Sequence, residues 1–250
     1  MAFTLVGYYE NLDTGGALTQ LDALSDQHIT FDNKDILVPE WASNIIQVAP
    51  LGTYISGARV SAPSLRQRTE LDITTRGINF PSKVITGLFE RTDRPISLEA
   101  GEGLRFAVSE KASAEVPCTG LVWLEGERTA IPDGEIETIR ATSATTTIPR
   151  EWTLCKLDLS QQLRAGRYAI VGLRVESSNG NAARLVIPGS AYRPGVLTVR
   201  SPSAVLVDAT TDRKLGSWGE FEHTFVPQLE ILTASVDTSQ VVYLDVVKIS

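Results

Sequence analysis

Histidines are the side chains that most often bind metals or transfer protons near neutral pH, and this 250-residue chain contains two, His28 and His223. Neither belongs to a short metal-ligand motif. The metal site of a cupin, one class of enzyme built on a β-barrel, usually takes three histidines and a glutamate, more histidines than this chain has. We therefore predict no metal and no other cofactor, and we interpret both histidines as ordinary surface or strand residues.

Other catalytic patterns are also missing from the sequence. It contains neither the Gly-x-Ser-x-Gly motif of hydrolases nor the Gly-x-x-x-x-Gly-Lys-Ser/Thr phosphate loop. Two carboxylates could hydrolyse a glycosidic bond; because the chain has 30 acidic residues, close pairs arise by chance. We predict no catalytic residues and a protein that is not an enzyme. The acidic candidates, interpreted as solvated loop charges, are Asp93, Glu99, Glu102, Glu220 and Glu222.

Charge and cysteine content limit the partners and the compartment. The net charge of −7 and the pI of about 5.0 argue against a nucleic-acid-binding protein, which needs a basic face. Cys118 and Cys155 are too few for a disulfide scaffold and are interpreted as buried thiols. The first thirty residues lack a signal-peptide pattern, and no apolar run approaches the ~20 residues of a membrane-spanning helix. We expect synthesis in a cytoplasm.

A faint internal repeat organises the chain. Residues 55–60 and 170–175 share the pattern Ile-x-Gly-x-Arg-Val, centred on Gly57 and Gly172. Trp41, after a proline, precedes the first copy, and Trp152 precedes the second. The segments 121–125 and 241–245 follow the two copies. A repeat of this length suits a whole small domain, so the sequence predicts one fold used twice.

The elements that carry these motifs are predicted to be β-strands. Many short runs of period two, separated by Gly, Pro, Asp and Ser clusters, are typical of a β-sandwich or barrel. Asn179-Gly180 predicts a β-hairpin, and apolar spacing at residues 17–26 predicts a short helix or arm. We predict an all-β protein of two tandem eight-stranded jelly rolls: an N-terminal arm at 1–27, a first jelly roll at 28–130 and a second at 131–250.

Aromatic residues offer two further hypotheses. Trp218 and Phe221 lie in a glycine-rich turn motif, where they either close one end of a sandwich or contact another subunit. Tyr8, Tyr9 and Trp41 could stack against a carbohydrate.

Several short features occur together in this chain: Pro39, Trp41, Pro149, Trp152, the two Ile-x-Gly-x-Arg-Val strands, Arg193-Pro-Gly195 and the motif of residues 215–221. With these features the chain resembles the double jelly-roll major capsid proteins of tailless icosahedral viruses, and in size those of small membrane-containing bacteriophages such as the corticoviruses. The resemblance covers residues 28–250. It implies a homotrimer whose six lobes form a pseudo-hexamer. The implied partners are neighbouring capsomers and an internal membrane or minor capsid proteins. It also implies that the protein is part of the virion and does not contact nucleic acid directly.

Two other classes remain open from the sequence. One is a tandem β-sandwich that binds a carbohydrate or a receptor, as a lectin or a virion spike does. The other is an enzyme, either a degenerate two-domain cupin or a glycoside hydrolase. Aromatic residues aligned on one exposed face would favour the first of these, and stoichiometric metal would favour the second.

Overall fold

The computed structural model describes residues 3–13, 15–26, 28–52, 54–66, 71–73, 89–90, 92–112, 114–199 and 216–250. The chain divides into two compact units. The first unit is Val6–Gly126, and the second is Glu127–Ser250 together with the N-terminal residues up to Leu5. The strand predicted at residues 204–208 and most of the one at 83–89 lie outside the described residues.

The first unit consists of two antiparallel sheets. One has the strand order β10-β6-β12-β1-β3, with β9 also on β6, and the other has the order β4-β5-β11-β7-β8, with β2 also on β11. The elements are β1 (Phe3–Leu12), β2 (Leu18–Gln20), β3 (Asp22–Ala23), β4 (Phe31–Asp32), β5 (Asp35–Leu37), β6 (Asn44–Leu51), β7 (Ile55–Ser61), α1 (Pro63–Arg66), β8 (Leu71–Ile73), β9 (Phe89–Glu90), β10 (Ile96–Ser97), β11 (Gly103–Glu110) and β12 (Val116–Glu125).

The second unit also has two sheets. Their orders are β15-β13-β21-β16-β19 and β14-β20-β17-β18. The strands are β13 (Ile136–Ser143), β14 (Trp152–Cys155), β15 (Asp158–Leu159), β16 (Arg167–Ser177), β17 (Gly180–Val186), β18 (Gly195–Leu197), β19 (Gly219–Glu222), β20 (Gln228–Thr233) and β21 (Gln240–Lys248).

Both units are jelly rolls with the same topology. A long antiparallel hairpin that pairs strands 1·8, 2·7, 3·6 and 4·5 and is then rolled up gives sheets of order 1-8-3-6 and 2-7-4-5. The second unit fits this order with β13, β14, β16, β17, β18, β19, β20 and β21 as strands 1–8. The first unit fits it with β1, β5, β6, β7, β8, β10, β11 and β12. The predicted fold class, all-β with two tandem jelly rolls, is confirmed.

The shared topology corrects the sequence repeat. Strand 8 is β12 in the first unit and β21 in the second, so segments 121–125 and 241–245 do lie on equivalent strands. The glycine motif does not mark equivalent positions, because Gly57 lies on strand 4 and Gly172 on strand 3. Their surroundings differ too: a Cβ on Gly172 would lie 3.2 Å from that of Asp245, whereas one on Gly57 would meet only Ser109, at 4.0 Å.

The tryptophan landmarks are likewise not equivalent. Trp41 precedes β6, which is strand 3, whereas Trp152 begins β14, which is strand 2. Short patterns of apolar residues, glycine and arginine recur in any set of buried strands. Only the strand order therefore identifies which strands correspond.

The N-terminal region is neither an arm nor a helix. β1 is strand 1 of the first unit, and β2 and β3 pair with β11 and β1. The prediction of a helix from the apolar spacing at residues 17–26 is wrong because pairing with neighbouring strands outweighs the local helical pattern. Leu21 donates its amide to the Phe106 carbonyl (2.8 Å) and Leu24 to that of Gly7 (2.9 Å), so neighbouring strands satisfy this backbone.

The predicted hairpin at Asn179-Gly180 is also wrong. The strands on either side, β16 and β17, belong to different sheets of the second unit. The tight turn is real, but it carries the chain from one sheet to the other. Local turn chemistry does not distinguish these two outcomes.

Each unit has its own aromatic core. In the first, Tyr8 and Phe106 lie with ring centroids 5.7 Å apart, and the Tyr8 hydroxyl donates to the Leu104 carbonyl at 2.7 Å. Gly120 on β12 makes room for this pair, since a Cβ there would lie 2.5 Å from the Phe106 ring. In the second, Tyr168 stacks on Phe221 with centroids 5.6 Å apart.

Candidate binding and assembly sites

The two histidines do not form a site. His28 is exposed, and His223 is half-buried, with its Nδ1 accepting a hydrogen bond from the Gly166 amide at 3.2 Å. Within the part of the chain that the structure describes, no group of three or more His, Cys, Asp or Glu side chains could hold a metal ion.

Two of the acidic candidates, Glu102 and Glu220, have structural partners. Glu102 accepts hydrogen bonds from the amide and hydroxyl of Ser64 (2.8 and 2.6 Å) and from the Glu99 amide (2.9 Å), which fixes the start of α1. Glu220 pairs with Arg167 at 2.6 Å. Asp93 and Glu222 are exposed. The contacts of Glu102 and Glu220 hold a loop and a strand in place.

Both cysteines are free and buried, which confirms the interpretation as buried thiols. Burial raises the pKa of the Cys118 thiol to about 12, and the negative charge of Glu110 adds to the rise. Burial likewise raises the pKa of Cys155. Because the thiolate is the reactive form, neither side chain is suited to act as a nucleophile.

The aromatic residues proposed to stack on a carbohydrate do not form an exposed row. Tyr8 is buried in the first core, and Tyr9 and Trp41 are half-buried. The Tyr9 hydroxyl donates to Asn11 Oδ1 at 2.7 Å. These positions do not offer a continuous stacking surface.

Trp218 is a core residue of the second unit, with 1% of its surface exposed. Its ring meets that of Phe3 edge to face, with centroids 5.1 Å apart. Of the two hypotheses for the glycine-rich motif, closure of the sandwich therefore describes Trp218, and the side chain is not accessible to another subunit.

The N-terminal segment, residues 3–5, lies against an acceptor groove of the second unit formed by Arg184, Arg193, Gly195 and Trp218. The Leu5 amide donates to the Arg193 carbonyl at 2.9 Å, and the Arg193 amide donates to Thr4 Oγ1 at 3.0 Å. Sequence analysis missed this site because the residues that meet are about 180–215 positions apart.

Arg184 is the charged centre of that groove. It lies on β17 with 1% of its surface exposed, and its Nε donates to Glu230 Oε2 at 2.6 Å. Its Nη1 donates to the Leu5 carbonyl at 3.0 Å, and its guanidinium lies 4.1 Å from the centroid of the Trp152 ring. The preceding Ala182 and Ala183 are small and buried.

Asp237 links three loops at one end of the second unit. Its Oδ2 accepts hydrogen bonds from the Ser177 hydroxyl and from the Asn179 amide (3.1 Å), at the turn between β16 and β17. Its Oδ1 accepts from the Thr238 amide at 2.8 Å. Its own amide donates to Thr147 Oγ1 at 2.8 Å, which ties in the loop between β13 and β14.

These hydrogen bonds control the ionisation of Asp237. Burial would raise the pKa of the carboxyl group, but the hydrogen bonds from Ser177 and from the amides of Asn179, Ser239 and Thr238 outweigh burial and hold the pKa below its ordinary value of 3.8. The ionised form is thus the one that the folded state prefers.

We expect Asp237→Asn to destabilise the protein by about 1–3 kcal/mol near neutral pH, because charge-assisted hydrogen bonds are lost. A lowered pKa gives stability that is complete above the ordinary value of 3.8 and is lost as the pH falls through the folded-state pKa. The difference between the two proteins should therefore shrink below pH ~4 in urea unfolding measured from pH ~7 to ~2. A difference that stays constant over this range would contradict the role of the carboxylate.

The loops joined by Asp237 present exposed apolar side chains. Ile148 and Val236 are 55% and 53% exposed, and each lies one residue from the hydrogen-bonded pair Thr147–Asp237. Phe225, 66% exposed, lies in the loop between β19 and β20, at the opposite end of the sandwich. Hydrogen bonds to Asp237 already order the loops that carry Ile148 and Val236. A partner that binds these loops therefore loses less conformational entropy than one that must order flexible loops.

A small cavity in the first unit is too limited for most ligands. Its volume is about 140 Å³, below the ~300 Å³ at which small-molecule pockets usually begin. Arg105 Nε donates to both Asp35 carboxylate oxygens, at 3.0 and 2.8 Å, and Gln20 donates to the same carboxylate at 2.7 Å. These groups satisfy one another.

Comparisons with known proteins do not identify a family for this chain. No family model and no curated protein matches the sequence. Among solved structures, a chain from the atomic structure of Sulfolobus Turreted Icosahedral Virus aligns at 10% identity, covering 97% of this chain and 91% of that one, with a TM-score of 0.25. At this TM-score the alignment carries no weight, and the jelly-roll assignment rests on strand order. Among the described residues, no helix has the length and apolar character to cross a membrane.

Proposed function

We propose that this protein is a structural subunit of an icosahedral virus shell, a major capsid protein of the double jelly-roll type. The observation that carries the proposal is the strand order 1-8-3-6 and 2-7-4-5, which occurs twice in one chain. Jelly rolls are a common architecture of viral capsid domains. The proposal extends to a virus that resembles the membrane-containing corticoviruses.

The duplicated fold suggests how the shell is built. A subunit with two similar units gives six similar lobes when three copies assemble around a threefold axis. Such a trimer packs as a pseudo-hexamer beside neighbouring capsomers. In this proposal the partners are further copies of the chain, and an internal membrane or minor capsid proteins lie next to the shell. The net charge of −7 favours a subunit that does not bind the genome directly.

We expect a solution mass of about 81 kDa, three times the 27.1 kDa chain, in light scattering on a sizing column. The mass should persist as salt is raised, because the contacts of a stable oligomer are mainly apolar. The matched comparison is the same measurement over about a hundredfold range of protein concentration, which follows dissociation of the trimer. A 27.1 kDa species at every concentration would contradict the proposal. It would favour the alternative of a protein that binds a carbohydrate or a receptor, which ligand screening would test.

A further inference from the structure

The N-terminal segment occupies the acceptor groove as a bound peptide would. It is extended, its Leu5 amide donates to the Arg193 backbone carbonyl, and the Arg184 side chain donates to the Leu5 carbonyl. Phe3, Thr4 and Leu5 are all buried. The recognition therefore combines main-chain hydrogen bonds with side-chain pockets.

The groove is shaped for the segment's side chains. Phe3 fits against the edge of Trp218. Leu5 lies over Gly195, where an added Cβ would come within 2.8 Å of Leu5 Cδ2 and within 2.6 Å of the Ala183 carbonyl oxygen. The absence of a side chain at Gly195 thus leaves space for the Leu5 side chain. The Arg184 guanidinium donates a hydrogen bond to the Leu5 carbonyl at 3.0 Å.

We propose that the acceptor groove is an exchange site that binds the N-terminal segment of a second copy of this chain. The segment and the groove are more than 175 positions apart, so none of their contacts depends on a local connection. An identical copy supplies the same contacts, and exchange between copies therefore costs no interaction energy. Residues from Val6 onward belong to the first unit.

The occupant is fixed by the chemistry of the groove. It accepts an extended chain with a large aromatic side chain, a hydroxyl and a leucine in sequence, which the N-terminal segment of this protein carries. Copies held together in an oligomer supply that segment at an effective concentration that can reach ~1 mM. The exchange requires close copies but not a trimer, so failure of the capsid proposal would leave it standing.

Disulfide trapping between full-length chains tests the exchange. Chains that carry Thr4→Cys are mixed with chains that carry Arg193→Cys. A low concentration of denaturant lets the N-terminal segment leave the acceptor groove and bind again. The sample is then oxidised. We expect a disulfide-linked dimer of about 54 kDa, twice the chain mass, with the two substituted peptides joined in mass spectrometry. The native Cys118 and Cys155 are buried and should not react. Each single variant alone should stay unlinked.

The chain that carries both substitutions is the matched control, and it should close within itself. If it closes and the mixture gives no linked dimer, the exchange proposal is overturned. A second measurement does not depend on disulfide geometry. A peptide of residues 1–9 should bind the full-length Phe3→Ala/Leu5→Ala variant and raise its Tm, whereas the peptide with the same two substitutions should not. Equal behaviour of the two peptides would also overturn the proposal.

Discussion

Arg184→Ala should lower the free energy of unfolding by about 3–5 kcal/mol, the usual cost of removing one partner of a buried ion pair. The arginine is 1% exposed and pairs with Glu230 at 2.6 Å. Its removal leaves the Glu230 carboxylate without its cation in a poorly hydrated site and leaves the Leu5 carbonyl without that donor. Urea unfolding should show a lower midpoint with an unchanged m-value.

Two controls separate burial from charge. Arg167→Ala breaks the Arg167–Glu220 pair, which has the same 2.6 Å distance but is 54% and 35% exposed, and should cost less than about 1 kcal/mol. The double variant Arg184→Met/Glu230→Leu removes both charges and should regain most of the loss, since apolar residues of similar volume often replace a buried pair at little cost. A loss below about 1 kcal/mol for Arg184→Ala would contradict the central role of this residue.

The sequence was sufficient for the fold class because that information is spread over many residues. Period-two burial on strands such as β11, with turn residues between strands, identifies a β-protein without any long-range contact. The number of such strands in each half then suggests two jelly rolls. The pairing of strands is not local, and the prediction failed at β1 and at the turn that Asn179-Gly180 forms between two sheets.

The groove and the loop cluster could not be predicted for the same reason. An arginine within a strand, such as Arg184, usually indicates the solvent-exposed face. Its burial is favourable because it donates hydrogen bonds to the Leu5 carbonyl and to the Glu230 carboxylate. These residues are 179 and 46 positions away in the sequence. Asp237 likewise looks like a loop charge until Ser177, 60 positions earlier, donates to it. Short motifs carry no information about such encounters.

Trp218→Ala should destabilise the second unit by about 3–5 kcal/mol, the range for removing a large buried aromatic side chain. The indole is 1% exposed, so the truncation leaves a cavity that the surrounding side chains refill only in part. Phe3→Ala, at the other end of the chain, should have an effect of similar size because Phe3 is buried against the same indole. Phe225→Ala, 66% exposed, is the matched aromatic control and should change stability by less than about 0.5 kcal/mol.

The double variant Phe3→Ala/Trp218→Ala decides whether the N-terminal segment is an integral part of the second unit. Because the two rings meet edge to face at 5.1 Å, the double variant should lose about 0.5–1.5 kcal/mol less than the sum of the single losses. Such coupling between residues 3 and 218 requires that the segment be docked in solution. Strictly additive losses would mean that Phe3 stabilises the protein through contacts other than Trp218. The N-terminal segment would then not occupy the acceptor groove in solution.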